Sequence, residues 1–316
     1  MGLLMKYLFI GLGSIGMRHL KNLRLLTGEP IYALRTKIDP DIDRRYKITS
    51  TTSLKEAVAL KPDVVFVTNP TSKHMEYARL FSNCHLFIEK PISTNSTHVA
   101  RLLAIMESNN KICFVGFNYR FYLDLSNIYS MMSWEGHEPH NFGLGKSLFA
   151  QVNFGKWLPD WHPGEDYKES CNARKELGGG AVLSLSHPID YVCWLFGSVR
   201  SVYAHTDKVS SLDIDVEDIA SIVLEMRNKT IVEIHLDYLH PEFVHNINIV
   251  YEKKVMSRDL NDAKKRDESF VKELQHFLKC VKGEEQPIIS NKDIICVMRI
   301  IDAIKESSRT GRKVYL

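Results

Sequence analysis

The apolar positions in the first third of the chain follow two rhythms. Unbroken apolar runs occur at Tyr7–Ile10, Pro30–Leu34, Val64–Thr68, Leu86–Ile88 and Lys111–Gly116. Such runs predict strands buried on both faces. Between them the apolar residues recur at helical spacing: Leu20, Leu23 and Leu26, then Met75, Ala78, Leu80 and Phe81, then Val99, Leu102, Leu103 and Met106. Ser53–Val58 reads as a short helix capped by its serine. Thr71 or Ser72 is the expected cap of the helix after Pro70, and Asn95 or Ser96 that of the next. The β-α alternation predicts a doubly wound parallel sheet with right-handed crossovers, closing near Phe117–Asn118.

The rhythm changes near residue 145. Lys146–Val152, Val199–Ala204, Asp218–Glu225 and Thr230–Tyr238 alternate apolar and polar positions. Alternation predicts a large open, mostly antiparallel sheet with one face wet or set against a partner, which invites oligomerisation. Asn153–Gly178 between them is long, aromatic and polar, as substrate loops are. Gly178-Gly179-Gly180 then leads into a helix ending at Gly197. An amphipathic helix around Phe270–Cys280, a turn at Gly283–Pro287, a helix through Val297–Ile304 broken by Gly311, and a short strand at Val314–Leu316 complete the chain. The fold class is α/β, with domains at 1–118 and 119–316 (the second α+β).

Composition narrows the classes. The 316 residues are 44% hydrophobic and 25% charged, ordinary for a globular protein. A net charge of +3 gives no reason to expect nucleic acid or an anionic membrane as partner. No apolar run approaches a membrane span. Met1-Gly2-Leu3-Leu4-Met5-Lys6 leads straight into the first strand, leaving no room for a signal peptide, and Lys6 stands where a myristoylation signal wants Ser or Thr. The six cysteines form no Cys-x-x-Cys pair, so neither a metal site nor a redox dithiol is expected, and reduced thiols in a cytoplasmic enzyme are.

Chemistry enters at Gly11-Leu12-Gly13-Ser14-Ile15-Gly16, which lies between a predicted strand and a predicted helix. There Gly11 permits the tight turn, Gly13 lets a pyrophosphate approach the backbone, and Gly16 lets helix and strand pack closely. The helix N-terminus adds free N–H groups and a positive dipole. At the end of the second strand, where an acidic residue would bind the ribose hydroxyls of NAD, the chain has Arg35-Thr36-Lys37. A guanidinium there suits the 2′-phosphate of NADP. Asp39 and Asp41 lie close enough to keep NAD open. Thr68, Asn69 and Pro70 end the third apolar strand and face the cofactor cleft; His74 serves either that cleft or local packing. Lys90, held extended by Pro91, sits at the next strand end as a catalytic lysine or a plain strand terminus. His187 shares a helix face with Asp190 and with Tyr191, either as catalytic pair or as core histidine.

Taken together, these motifs resemble the glucose–fructose oxidoreductase and inositol dehydrogenase (Gfo/Idh/MocA) family. The resemblance is carried by Gly11–Gly16 with Arg18-His19, Thr68-Asn69-Pro70 with His74, Glu89-Lys90-Pro91, Gly178–Gly180 through His187 and Asp190 to Trp194-Leu195-Phe196-Gly197, and Ala303…Ser307-Ser308…Gly311…Val314. It implies a Rossmann domain joined to an open α/β domain whose sheet mediates assembly into a homodimer or homotetramer. It implies hydride transfer between nicotinamide and a hydroxyl or ketone carbon of a sugar, sugar derivative or cyclitol. It implies Lys90 and His187 as the catalytic pair, with either as the proton partner. It assigns cofactor contacts to Gly11, Gly13, Ser14, Ile15, Gly16, Arg35, Thr36, Thr68, Asn69, Pro70, His74, Glu89 and Lys90. Many members carry an Asp shortly before the active-site histidine; this chain has Ser184, and Asp190 is the candidate substitute.

The run Leu158–Tyr167 resembles a bacterial branch found with sialic-acid-like and surface-polysaccharide sugar pathways. Trp161 and Tyr167 are candidates to stack on a sugar, and Arg120 and Arg174 to pair with its carboxylate or phosphate. Two other functions fit the same motifs: an NAD-assisted glycosidase, and a non-catalytic NADP-binding sensor.

Overall fold

The computed structural model describes residues 4–132, 143–162 and 164–316. The opening residues Met1–Leu3 and Pro163 of the aromatic run lie outside the described residues. Chain contacts divide the protein into two compact units. The first comprises residues 1–93, 97–117 and 270–294, and the second 94–96, 118–269 and 295–316.

In the first unit the elements run β1 (Tyr7–Ile10), α1 (Ser14–Leu26), β2 (Ile31–Leu34), α2 (Pro40–Tyr46), β3 (Ile48–Thr51), α3 (Leu54–Ala59), β4 (Val64–Val67), α4 (His74–Leu80), β5 (His85–Ile88), α5 (Val99–Ser108) and β6 (Cys113–Val115). Six parallel strands lie in the order β3-β2-β1-β4-β5-β6. Their register sets one phenylalanine beside another: Phe9 opposite Phe66, Phe66 opposite Phe87, Phe87 opposite Phe114. The rings stack across the four strands at 4.5, 5.3 and 5.5 Å between centroids. Phe277 packs edge-on against Phe66 and Phe87. Each such pair adds about 0.5–1.5 kcal/mol beyond area burial. This ladder is the reason that 270–294, distant in sequence, belongs to the first unit rather than to a domain beginning at 119.

Three local expectations differ here. β3 and α2 leave little apolar trace: β3 is an edge strand in which only Ile48 is buried, and α2 buries no residue. Asp39 caps α2, accepting from the Asp41 and Ile42 amides. α4 begins after a 3₁₀ turn at Thr71–Lys73, without a side-chain cap, and α5 begins at Val99, its cap position being His98 in a left-handed conformation. Ser53 does cap α3, accepting from Glu56 N–H.

In the second unit lie α6 (Leu123–Met132), β7 (Ser147–Gly155), α7 (Ala181–Ser184), α8 (His187–Phe196), β8 (Val199–Asp207), β9 (Ile219–Met226), β10 (Ile231–Asp237), β11 (Val244–Tyr251) and β12 (Val255–Asp259). Two long helices follow, α9 (Ala263–Val281) and α10 (Asn291–Thr310), and then β13 (Val314–Tyr315). Phe270 onward in α9 and the first turn of α10 belong to the first unit. Seven strands lie in the order β12-β11-β7-β10-β9-β8-β13. β7 and β10 run parallel, and every other neighbouring pair is antiparallel. One face carries the core, Val152, Ile222, Ile234 and Ile247 among it, and α8 packs on β10. The other face leaves Tyr203, Val223 and Ile231 exposed. The glycine-led helix expected to run to Gly197 is two helices. Pro188 has no N–H to continue α7, but is tolerated in the first turn of α8. Among the described residues no helix is long and apolar enough to cross a membrane, and no disulfide forms.

Candidate active site

The first unit gathers its candidate residues at the carboxyl ends of β1, β2, β4 and β5. Gly11 has φ +87°, and a Cβ there would stand 3.1 Å from Asn69 Cα. A Cβ on Gly16 would meet Gly11 O at 2.6 Å and Thr68 Oγ1 at 2.8 Å. Thr68 Oγ1 donates to that same carbonyl at 2.7 Å. Gly11 and Gly16 are therefore packing glycines. Gly13 is different, since nothing lies within 4 Å of where its Cβ would be. It is also the cap position of α1, whose first turn has no side-chain cap and no acidic residue. Open space, uncapped amides and a positive helix end fit a dinucleotide pyrophosphate. Asn69 Oδ1, buried without a partner among the described residues, adds an acceptor for a ligand donor.

The β2 end presents Arg35, with Thr36 exposed beside it. One Arg35 guanidinium nitrogen lies 4.0 Å from Asp43 Oδ1. That carboxylate already accepts from Ser50 N–H and Oγ–H. Asp39 spends a carboxylate oxygen on capping α2, and Asp41 pairs with Arg44 at 3.4 Å on the surface. The guanidinium is thus the principal polar group at the ribose position.

Lys90 is anchored from both sides. Glu89 Oε2 accepts the Lys90 backbone N–H at 3.2 Å, and Glu89 Oε1 lies 2.5 Å from His19 Nε2. His19 is fully buried on α1, one turn past the glycines. Gly116, just after β6, makes room, because a Cβ there would lie 3.0 Å from Glu89 Oε1. On the other side His74 is buried between two carbonyls, its Nε2 2.8 Å from Asn69 O and its Nδ1 2.9 Å from Pro91 O, and the neutral ring donates to one of them. Burial pulls its pKa down. His74 thus fastens the ends of β4 and β5 and does not itself reach for a ligand. Sequence reasoning took His19 only as part of the glycine motif; its coupling to Glu89 depends on the α1–β5 packing, which spacing does not reveal.

In the second unit His187 opens α8, is 8% exposed, and lies with its ring 4.9 Å from that of Tyr119. Tyr119 in turn packs edge-on against His245 at 4.6 Å, and His245 Nε2 is 3.0 Å from Tyr191 Oη. Burial, with a smaller contribution from Arg266, drives the His245 pKa down to about 3, so the ring is neutral. Tyr119 and His245 were missed from the sequence because neither belongs to a motif of recognisable spacing.

Two assignments change. Asp190 is engaged by Arg120. Its carboxylate accepts from Arg120 Nε at 2.9 and 3.1 Å and from Arg120 Nη2 at 2.6 Å. Both side chains are 1% exposed. Arg120, expected at a substrate anion, and Asp190, expected as a catalytic carboxylate, instead neutralise one another in the interior. Removing either would leave a buried charge. Ser184 ends α7 and accepts from Tyr238 Oη at 2.8 Å.

Gly179 and Gly180 are there for packing. A Cβ on Gly179 would lie 2.4 Å from Asn172 O, and one on Gly180 2.4 Å from Glu217 Oε1. Gly180 also has φ +109°. Trp161 and Tyr167 line one small hollow with Leu158, Pro159, His162, Glu165, Ser170 and Asn172. Trp161 packs edge-on to Tyr238, Tyr167 Oη accepts from Asp213 N–H, and Arg174 lies 4.0 Å from Glu169.

Comparison with known proteins agrees with this architecture. Residues 5–117 match the model of an oxidoreductase family with an NAD-binding Rossmann fold, and residues 143–256 match the GFO/IDH/MocA C-terminal domain. The chain is 24% identical over 342 residues to myo-inositol 2-dehydrogenase of Thermotoga maritima, 97% of each chain being covered. It is 23% identical over 277 residues to D-xylose 1-dehydrogenase (NADP(+)) 2 of Haloferax volcanii, with 80% of each covered. The solved structure of GenD2 from gentamicin A biosynthesis, in complex with NAD, shares the fold at TM-score 0.86 and 19% identity, covering 99% of this chain and 96% of that one. The chain is an NAD(P)-dependent oxidoreductase and belongs to the Gfo/Idh/MocA family.

Proposed function

We propose that the protein oxidises a secondary hydroxyl of a sugar, sugar derivative or cyclitol to the ketone, or reduces the ketone, with Lys90 and His187 as its catalytic residues. The observation that carries this reading is the double anchoring of Lys90 by Glu89 and, through Pro91, by His74. A lysine whose backbone is held at a strand end beside a cofactor turn favours a proton carrier over a solvated terminus. Nicotinamide, when bound, accepts or supplies the hydride. Lys90 Nζ takes the hydroxyl proton on oxidation and returns it on reduction. His187 is the second residue given a catalytic role. Glu89, oriented by His19, fixes the Lys90 backbone at the strand end.

Arg35 gives NADP the preference, and Trp161, Tyr167 and Arg174 take up the sugar. We place the enzyme in the cytoplasm, where its thiols stay reduced, and assemble it into a homodimer or homotetramer through the sheet face carrying Tyr203, Val223 and Ile231. A panel of sugars, sugar nucleotides and cyclitols, followed at the nicotinamide absorbance, tests the activity. Lys90→Ala should cost about 10²- to 10⁴-fold in turnover and leave the NADPH dissociation constant unchanged. Loss of cofactor binding with unchanged turnover per bound cofactor would sink the assignment.

A further inference from the structure

Outside the candidate active site, one cluster of metal-ligating side chains stands apart. His235, Asp237 and His240 bring one ligand atom each within 4.8 Å of one another. We propose that they form a binding site for a divalent transition ion, zinc being the best chemical match, that clips the end of β10 to the turn after it.

The placement follows from the strand. His235 and Asp237 are two apart on β10 and point to the same face. The turn after the strand brings His240 back over them. Asp237 Oδ2 lies 2.8 Å from His235 Nε2 and 2.7 Å from His240 Nδ1. Its other oxygen is held by the backbone, accepting from Leu239 N–H at 2.7 Å and His240 N–H at 3.0 Å. An anionic ligand with one oxygen fixed by outer hydrogen bonds and the other facing two imidazoles is the support that ligating carboxylates receive.

The surroundings fit the same reading. Gly155, opposite Asp237 on β7, leaves the gap in which the cluster sits. A Cβ there would lie 2.6 Å from His240 Nδ1 and 2.7 Å from both carboxylate oxygens. The Asp237 side chain is 1% exposed, whereas the imidazoles are 33% and 40% exposed. In the single chain an ion can therefore enter past the rings, on the sheet face proposed above for assembly, and water can take the fourth position. Two imidazoles and one carboxylate suit zinc and its neighbours, not calcium or magnesium. Ligand distances of about 2.0–2.1 Å require the three atoms to stand roughly 3.3 Å apart. The Asp237 oxygen then draws back from each ring by about half an ångström, the two ring nitrogens close on one another, and each ring carries its proton on its other nitrogen.

The clip would fasten more than one turn. Lys156 N–H donates to Asp237 O, Trp157 N–H to His240 O and Leu158 N–H to Tyr238 O. This is where the aromatic loop carrying Trp161 leaves β7. Binding should thus stabilise the fold and protect that loop without altering the chemistry at Lys90.

The test uses the full chain, stripped with chelator and titrated with Co²⁺ as a spectroscopic probe and with Zn²⁺ by calorimetry and thermal melting. One ion per chain, visible d–d bands without sulfur charge transfer, and a rise in Tm are expected. His235→Ala and His240→Gln should each abolish the bands and the Tm rise, with nicotinamide turnover close to wild type. No saturable Co²⁺ spectrum would overturn the proposal. So would a spectrum that survives both variants, or one with thiolate character, which would put the ion on cysteines.

Discussion

The two glycine turns of this protein look alike in sequence and do opposite things. Gly11–Gly16 and Gly178–Gly180 each precede a helix. In the first, Gly11 and Gly16 let backbone pack against backbone, and Gly13 stands over open space at an uncapped helix end. In the second, Gly179 threads against the Asn172 carbonyl and Gly180 against the Glu217 carboxylate, leaving no space at either. Glycine marks a close approach, but not whether a ligand or the chain itself approaches. The difference lies in what the neighbouring segments bring, and Glu217 is remote from the turn in sequence.

The largest effect should come from the packed turn. Gly179→Ala forces a methyl into a backbone carbonyl that cannot rotate away. A loss of about 3 kcal/mol or more is expected, read as a lowered urea midpoint at unchanged m-value. NADPH affinity per folded molecule should stay as in wild type. If Gly179→Ala folds normally, the turn is looser than its geometry and the contrast collapses.

Gly13→Ala should behave in the reverse sense. Its φ of −71° suits any residue, and its Cβ meets nothing. Stability should move by well under 1 kcal/mol, as for an unstrained surface site. The NADPH dissociation constant should rise about 10- to 100-fold, equivalent to roughly 1.4–2.7 kcal/mol of lost phosphate contact. Titration by nicotinamide fluorescence reads this directly. A variant that binds NADPH as tightly as wild type would mean that the phosphates lie elsewhere.

How far the sequence was legible follows the same division. Local features read well: the continuous strands, the Ser53 cap, the glycine turn with helix after it, and Glu89-Lys90-Pro91 at a strand end. They rest on neighbours within a few residues. What stayed hidden depends on distant packing. Phe277 joins the ladder of Phe9, Phe66, Phe87 and Phe114 from the other end of the chain. The Arg120–Asp190 pair turned two site candidates into one interior ion pair. β11 was hidden because a core-facing position is filled by His245, which breaks the apolar alternation. Polar residues in the core are the hardest to place, since a histidine reads the same on paper whether it meets substrate, carboxylate or ring.

That ambiguity yields the smallest effect, and it compares the two units directly. His74 in the first and His245 in the second are both buried, and burial lowers both pKa values, His245 to about 3. An imidazole whose folded pKa lies below its unfolded value of about 6.5 gains its proton only on unfolding. Between pH 3 and 6.5 the unfolded chain therefore binds more protons at His245, so stability rises with pH through that window, is complete above it, and falls on acidification. Each such histidine contributes a slope of at most about 1.4 kcal/mol per pH unit. Urea midpoints from pH 7 to pH 5 should thus decline, and His245→Gln should flatten the decline by one histidine's share. His74→Gln should do so too, but with a second consequence. It also releases the carbonyl, of Asn69 or Pro91, that the ring holds beside the cofactor turn and Lys90, so it should lower turnover at neutral pH, where His245→Gln should not. Equal effects of the two variants on turnover would mean that His74 has no special hold on Lys90, and that both histidines serve the core alone.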